Sequence, residues 1–291
     1  MYPWLNATFK EQIDVEKKLY DNPPVFEYID IQDKGFLVSL FGIYPKLRPL
    51  HLDSFVLFCV PYLKDDTFRN KVLEQVFTVS PTLIQRLHRI KSFSMDEIKS
   101  ALEFHKKKFL YLFFKDTIEL DYSGFSDDRN SQNYWNEKEL DFLIQFGFHK
   151  SSMEFCLKYD QFEEIDKLLM KNPNLKTCRW NPFEWSEEPK SLDLLSFCSF
   201  YGSLKCFKVL LKTVLDINEH VARGIVCSGS KELFNYISNF NFECFSFIHE
   251  ASRFAHIRVI EYLINHKADI NGKNESTTIA HLTKLLFIWQ H

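Results

Sequence analysis

Apolar residues recur along the chain mainly at three- and four-residue spacing, which is the period of an amphipathic helix. Clean alternation of apolar and polar residues, which half-buried strands show, is scarce. In the first half, the pattern predicts one helix over residues 36–41 that stops at Pro45. It predicts another over residues 51–63, with Pro61 near its end. The pattern therefore predicts an all-α fold.

Two short motifs predict where further helices begin. Ser80 is followed by Pro81, a pair typical of a helix N-cap and of the first helical position. Ser94 and Glu97 have the spacing of a capping box, in which each side chain accepts a hydrogen bond from the other residue's backbone amide. We expect a helix to start after each motif.

Two stretches interrupt the helical pattern. Residues 121–136 are rich in Ser, Asp, Asn and Gly, which predicts an exposed loop or hinge. Residues 172–190 contain three prolines and two tryptophans and are predicted to form an insertion. We therefore predict a helical N-terminal region over residues 1–136 and a second domain over residues 137–291.

The second half contains a repeat. Residues 246–271 have the sequence SFIHEASRFAHIRVIEYLINHKADIN. This segment resembles the ankyrin repeat, whose pattern is T-P-L-H-x-A-A-x-x-G-H-x-x-V-V-x-x-L-L-x-x-G-A-D-V-N. The identical positions are His249, Ala251, His256, Val259, Leu263, Ala268, Asp269 and Asn271. The departures include Ala255 and Lys267, which stand where the ankyrin pattern has glycine.

Weaker copies of the same pattern precede this segment. Residues 194–211 keep two small residues, Gly202 and an apolar second helix, and residues 222–237 are similar around Gly229. Residues 156–169 are fainter, with Asp160 at the glycine position. The distance between copies is shorter than the usual ~33 residues, so we expect trimmed loops.

The resemblance implies an ankyrin-type α-solenoid of stacked helix pairs over residues 137–291. The best repeat would cover residues 246–278, and a truncated last repeat would cover residues 278–291. Residues 137–285 also resemble the degenerate domain of unknown function found beside ankyrin repeats in large protist families, through the segments LLSFC, YG and CFK at residues 194–208. The positions expected to have structural roles in the repeats are Gly202, Gly229, His249, Ala251, His256, Asp269, Asn271 and His281. In ankyrin families the T-P-L-H histidine, here His249 and His281, ties neighbouring turns together by hydrogen bonds.

The resemblance also implies a protein–protein interaction module without catalytic activity. Partners of ankyrin stacks usually dock on the concave side, to which the two positions before each repeat glycine point. Here the predicted partner-binding residues are Lys158, Tyr159, Phe200, Tyr201, Cys227, Ser228, Arg253 and Phe254. Aromatic side chains and arginine dominate interface hot spots. The alternative is that these aromatics pack against the N-terminal helices or the insertion.

Composition narrows the class of protein. The formal net charge is −3, and Lys and Arg are spread along the chain, so the basic surface that nucleic acid needs is not expected. The seven cysteines include no C-x-x-C pair, which favours a reducing compartment. The start of the chain does not resemble a signal peptide, and its apolar stretches are shorter than the ~20 residues of a membrane helix. We predict a soluble, intracellular and cytoplasmic protein.

Enzyme motifs do not emerge from the sequence. The chain has no G-x-x-x-x-G-K-[ST], G-x-G-x-x-G or H-E-x-x-H motif, and we predict no catalytic, cofactor-binding or metal-binding residues. Metal binding by His249, His256 and His281 is the weaker alternative to their places in the repeat. A Cys–His nucleophile pair stays open from sequence, although Cys198 and Cys206 fall at packed positions of the repeat.

Two alternative functions and the oligomeric state also stay open. The chain could be an adaptor whose N-terminal helices recruit machinery such as a ubiquitin ligase while the repeats select the target. It could also contain an enzyme within residues 1–136. The sequence does not identify the partner.

Overall fold

The computed structural model describes residues 15, 18–19, 25–29, 31–105, 110, 113–114, 137–179, 183–184, 191–212, 217–237, 247–254 and 256–266. This part of the chain is mostly helical, as predicted. The chain divides into two compact units, the first comprising Met1–Gln12, Phe26–Gly147 and Asn181–Trp185 and the second Ile13–Val25, Phe148–Trp180 and Ser186–His291. The division after Gly147 lies one helix beyond the predicted boundary at residue 136.

The first unit is a cluster of short helices around aromatic side chains. Its helices are α1 (Lys34–Leu47), α2 (Leu52–Cys59), α3 (Asp66–Val76), α4 (Pro81–Arg89), α5 (Met95–His105) and α6 (Glu137–Phe146). Helix α3 packs against α1, α4 and α5, and α2 packs against α4. In the core, the ring of Phe41 makes edge contacts with Phe55 and Phe68, and Tyr44 stacks on Phe55 at a centroid distance of 4.2 Å. These four rings are buried and form a core between α1, α2 and α3.

Proline shapes two helix ends in this unit, and one prediction is wrong. Helix α1 does not stop at Pro45 but includes it and continues to Leu47. Pro45 lies in the last turn of the helix and donates no backbone hydrogen bond, but the amide of Arg48 still donates to the carbonyl of Tyr44 at 2.9 Å. The predicted helix over residues 51–63 is divided, because Pro61 lies in a 3₁₀ turn, Val60–Lys64, that follows α2.

The predicted helix starts are found, but only one of the two caps forms. The capping box is confirmed: the Ser94 amide donates to the Glu97 carboxylate at 2.7 Å, and the Glu97 amide donates to the Ser94 hydroxyl at 3.2 Å. Pro81 opens α4 as expected, but the Ser80 side chain does not cap it. The Ser80 hydroxyl instead donates to the carbonyl of Gly42 at 2.9 Å and so joins α4 to α1.

Between Met153 and Asn265, the described residues of the second unit form eight further helices in four consecutive pairs. They are α7 (Met153–Lys158), α8 (Phe162–Lys171), α9 (Leu194–Phe200), α10 (Leu204–Leu211), α11 (Glu219–Ser228), α12 (Lys231–Ile237), α13 (Ile248–Arg253) and α14 (Ile257–Asn265). Within each pair the two helices contact one another. The first helices also contact one another in order, α7 with α9, α9 with α11 and α11 with α13, and α8 contacts α10.

The first helix of three pairs starts in the same way. The side chains of Ser152, Asp193 and Asn218 accept from the amide three residues later, at 3.1, 2.8 and 3.0 Å. These residues satisfy one of the free amides that every helix start exposes. Each cap needs only a side-chain oxygen that can accept this hydrogen bond within its own copy of the repeat. Ser, Asp and Asn all provide one, so three different residues occupy the position.

One strand of a small antiparallel sheet lies inside the predicted insertion, and the other directly follows it. Strand β1 (Thr177–Arg179) pairs with β2 (Ser191–Asp193), with Cys178 opposite Leu192. The sequence did not predict these strands, because three residues are too few to establish a period-two pattern. Strand β2 ends at Asp193, which caps α9.

Candidate partner-binding site

The turn between α7 and α8 is held to the next helix pair by Asp160. This residue has φ +54°, a left-handed conformation in which Asp is among the better-tolerated residues. Its carboxylate accepts from the backbone amides of Cys206 at 2.8 Å and Lys205 at 3.3 Å. Asp160 therefore caps the start of α10, and the hydroxyl of Ser203 adds a second tie by donating to the carbonyl of Leu157. The sequence placed Asp160 at the glycine position but did not predict its capping role.

Each of the next two turns contains a glycine in the left-handed backbone conformation. Both glycines pack closely against the helix pair that follows. Gly202 has φ +72° and Gly229 has φ +62°, as the repeat positions require. A Cβ atom at residue 202 would lie 2.7 Å from the Cβ of Ser230. A Cβ atom at residue 229 would lie 2.1 Å from Nδ1 of His256. Neither position has room for a side chain.

His256 links the third pair to the fourth. Its side chain is buried, and Nε2 lies 2.7 Å from the carbonyl oxygen of Cys227. The other repeat histidine, His249, is also buried, and within the described part of the chain its Nδ1 has no hydrogen-bond partner. Of these two histidines, it is His256 that contacts a neighbouring turn.

Small residues allow the first helices to approach one another. Ala251 is fully buried, as its place in the repeat implies. Gly224, which the sequence analysis missed, is more demanding, because a Cβ there would lie 2.2 Å from the Ser199 hydroxyl and 3.1 Å from the Ser196 carbonyl. A glycine inside a helical pattern is the signal that could have identified this contact between α9 and α11. Asp269, Asn271 and His281 lie outside the described residues.

The predicted partner-binding residues are mostly not accessible. Lys158 is 4% exposed, Phe254 5% and Tyr201 8%, and Phe200 and Cys227 are likewise buried. Tyr159 and Ser228 are half-buried, and the side chain of Arg253 lies outside the described residues. The prediction that this row forms an open surface is therefore wrong for its five buried members, because a partner cannot contact them without unpacking the fold.

The structure does bring several of these residues together, as packing. The ammonium of Lys158 lies 5.4 to 5.8 Å from the ring centroids of Tyr159, Tyr201 and Phe148, within the range of cation–π attraction. The ring of Phe200 makes edge contacts with both Tyr201 and Phe254, at 5.4 and 6.0 Å. The aromatics are thus packed, but these contacts do not confirm the alternative, which named the N-terminal helices or the insertion as what they pack against. The described partners of the aromatics belong to the second unit itself.

The second helices of the pairs offer a more accessible surface. Lys205, Lys208 and Lys212 are exposed along α10 and its C-cap. We call these three residues the lysine face. Lys205 lies over the ring of Phe162 on α8, at 5.6 Å, and Lys208 lies over Tyr236 on α12, at 4.8 Å.

The described cysteines do not form a nucleophilic site. All six are free thiols and buried. Burial raises the pKa of Cys198 well above its ordinary value. Burial, with a smaller contribution from the Asp160 carboxylate, also raises the pKa of Cys206. Because the thiolate is the reactive species, these groups are poorly suited to nucleophilic chemistry.

Metal sites and membrane spans are not seen in the described residues. No group of three or more His, Cys, Asp or Glu side chains there has an arrangement that could hold a metal ion. None of the helices in that part of the chain combines the length and the apolar character that crossing a bilayer requires.

The ankyrin resemblance rests on the repeat residues of the sequence. Comparison of the chain with models of protein families, with curated proteins and with solved structures gives no significant match.

Proposed function

We propose that the second unit is an ankyrin-type α-solenoid that binds another protein and has no catalytic activity. The observation that carries this proposal is the contact of three successive turns with the following helix pair. Asp160 caps α10, Gly202 meets Ser230, and Gly229 meets His256. The turn residue of each pair thus contacts the turn or the second-helix start of the following pair, a recurring relation that supports a stack of repeats.

Burial supports the same proposal. Helix α10 buries Cys206, Phe207 and Leu210, and α11 buries five apolar side chains and Gly224. A single pair of such short helices has too few residues to cover both of its apolar faces, so neighbouring pairs must cover them. A stack of this kind presents an extended surface, which suits a macromolecular partner better than a small substrate.

The chemistry of the described residues favours binding over catalysis. His256 and Asp160 are the polar groups of the turns that could take part in chemistry. Both already form hydrogen bonds between neighbouring helix pairs. The raised pKa values of Cys198 and Cys206 disfavour their thiolates.

The proposal is tested by capture followed by direct binding. The tagged full chain is used as bait in an extract of the source cell, alongside Gly229→Val, which disrupts the turn contact, and Gly42→Ala as a matched control. A Cβ at Gly42 would lie 3.6 Å from its nearest neighbour, Val79, an ordinary contact. We expect at least one protein to bind the wild type and the control but not Gly229→Val, and to rebind as a purified protein in titration calorimetry. Failure of every captured protein to rebind would contradict the proposed function.

A further inference from the structure

The lysine face has the geometry of a single continuous surface. Lys205, Lys208 and Lys212 are spaced by three and four residues, so they lie on one side of α10. The opposite side carries the buried residues Cys206, Phe207 and Leu210. From Lys205 to Lys212 the backbone rises ~10 Å, the length of about two helical turns.

The positive charge of this surface is not neutralised by the rest of the described chain. Among the described residues, no carboxylate forms an ion pair with Lys205, Lys208 or Lys212. Two other exposed lysines do form ion pairs: Lys34 pairs with Asp65 at 2.6 Å and Lys167 with Glu164 at 2.8 Å.

Aromatic rings flank the lysine face. The ammonium of Lys208 lies 4.8 Å from the ring centroid of Tyr236, and that of Lys205 lies 5.6 Å from Phe162. Such contacts hold the stem of a lysine against the surface while its ammonium can still donate hydrogen bonds outward. The two side chains are thereby partly ordered before binding, which lowers the entropy that a partner's contact would cost.

We propose that the lysine face binds a short acidic segment of a protein partner; this inference rests on the proposed function. The carboxylates of such a segment complement the unneutralised ammonium groups. In an extended peptide, alternate residues are ~7 Å apart, which is comparable to, though longer than, the rises of ~4.5 and ~6 Å between successive lysines of the face.

The surroundings favour an acidic peptide over nucleic acid. Exposed carboxylates lie on the second helices on either side of α10. They are Glu163, Glu164 and Asp166 on α8 and Glu232 on α12. The lysine face itself has a length of only ~10 Å along α10, whereas the phosphates of a duplex continue past any such short region. The chain as a whole is also weakly acidic, with a net charge of −3.

The first experiment measures binding of a labelled peptide of alternating Glu and Ser to the full chain by fluorescence anisotropy. The triple variant K205Q/K208Q/K212Q is compared with K150Q/K171Q/K176Q, which removes the same charge from exposed lysines elsewhere in the second unit. Exposed ion pairs are individually weak, so we expect the first triple to reduce affinity about tenfold and the control less than about twofold. The effect should shrink as salt rises to about 150 mM.

Equal losses in the two triple variants would overturn the inference, because binding would then depend on net charge alone. A stronger preference of the lysine face for duplex DNA, or for vesicles containing phosphatidylserine, than for the peptide would also overturn it.

A second experiment separates this inference from the proposed function. The native partner identified by capture is titrated against both triple variants. Loss of binding with K205Q/K208Q/K212Q, but not with the control triple variant, would support the lysine face as the binding surface. Unchanged binding would overturn the inference and leave the proposed function standing, whereas failure to find any directly binding partner would contradict the proposed function itself.

Discussion

The imidazole Nε2 of His256 lies 2.7 Å from the carbonyl oxygen of Cys227, and the ring of the same histidine occupies the space that a Cβ at Gly229 would need. One side chain thus makes a hydrogen bond to the end of α11 and fills the gap left by the glycine that follows it. Both contacts join the third helix pair to the fourth. The histidine and the glycine should therefore depend on each other energetically.

This dependence is measurable in a double-mutant cycle. We expect His256→Ala to lower the free energy of unfolding by about 1–3 kcal/mol, since it removes the hydrogen bond and the packing. Gly229→Ala should cost about as much or more, from the left-handed φ and from overlap with the ring. The double variant should lose less than the sum, because the missing ring makes room for the methyl group.

Chemical denaturation monitored by circular dichroism gives the three values. His220→Ala is the matched control for the histidine, because His220 is exposed on α11 and should change stability by less than about 0.5 kcal/mol. Strict additivity of the two substitutions would show that His256 and Gly229 do not interact.

Asp160 combines two demands that different substitutions can separate. Its backbone is left-handed, and its carboxylate caps α10 through the amides of Lys205 and Cys206. Asp160→Ala disfavours the left-handed backbone and also removes the cap. It should lower the free energy of unfolding by about 1–2 kcal/mol. Asp160→Gly relieves the backbone but loses the cap, and Asp160→Asn keeps an acceptor and tolerates the backbone. We expect the order of stability Asn, Gly, Ala in thermal denaturation; an alanine variant as stable as the asparagine variant would contradict the capping role.

Local signals in the sequence predicted local structure well. The capping box of Ser94 and Glu97 and the left-handed turns at Gly202 and Gly229 depend on neighbouring residues, so the sequence contains the information that fixes them. Ser80 behaved differently, since its hydroxyl found the carbonyl of Gly42, 38 residues away. No pattern around Ser80 indicates that distant partner.

The candidate site was harder to predict for the same reason. The sequence placed the predicted partner-binding residues directly before the turns, but their exposure depends on which distant side chains pack against them. Lys158 is buried among Phe148, Tyr159 and Tyr201, and two of these rings come from other elements. The lysine face was also missed, because the spacing of Lys205, Lys208 and Lys212 acquires meaning only when the helix bounds and the lack of ion pairs are known.

Glu97 should make stability depend on pH. Burial alone would raise the pKa of its carboxyl, but hydrogen bonds from Ser94 and Arg69 outweigh burial and hold the pKa below its ordinary value. A carboxyl whose pKa is lower in the folded state stabilises the fold above the unfolded pKa of about 4.3, and this contribution is lost as the pH falls through the folded pKa. We expect the difference in stability between wild type and Glu97→Gln to be largest at neutral pH and to shrink as the pH falls through the lowered pKa of the folded state.

Denaturation at several pH values checks this. Glu103→Gln, an exposed glutamate on the same helix, is the control and should show little difference from wild type at any pH. If the two variants showed the same pH profile, the capping box and its ion pair to Arg69 would not contribute to the acid sensitivity of the fold.

Substitution of Tyr201 tests whether the buried residues of the predicted partner-binding row serve packing or partner binding. Its ring lies 5.6 Å from the ammonium of Lys158 and 5.2 Å from the ring centroid of Phe197, and the residue is 8% exposed. Tyr201→Ala should therefore lower the free energy of unfolding by about 3 kcal/mol, as large-to-small core substitutions do. Tyr201→Phe keeps the ring and should cost about 1 kcal/mol or less. If Tyr201→Ala instead left stability unchanged while abolishing binding to the captured partner, the ring would belong to an accessible interface, and the partner would be expected at this row and not at the lysine face.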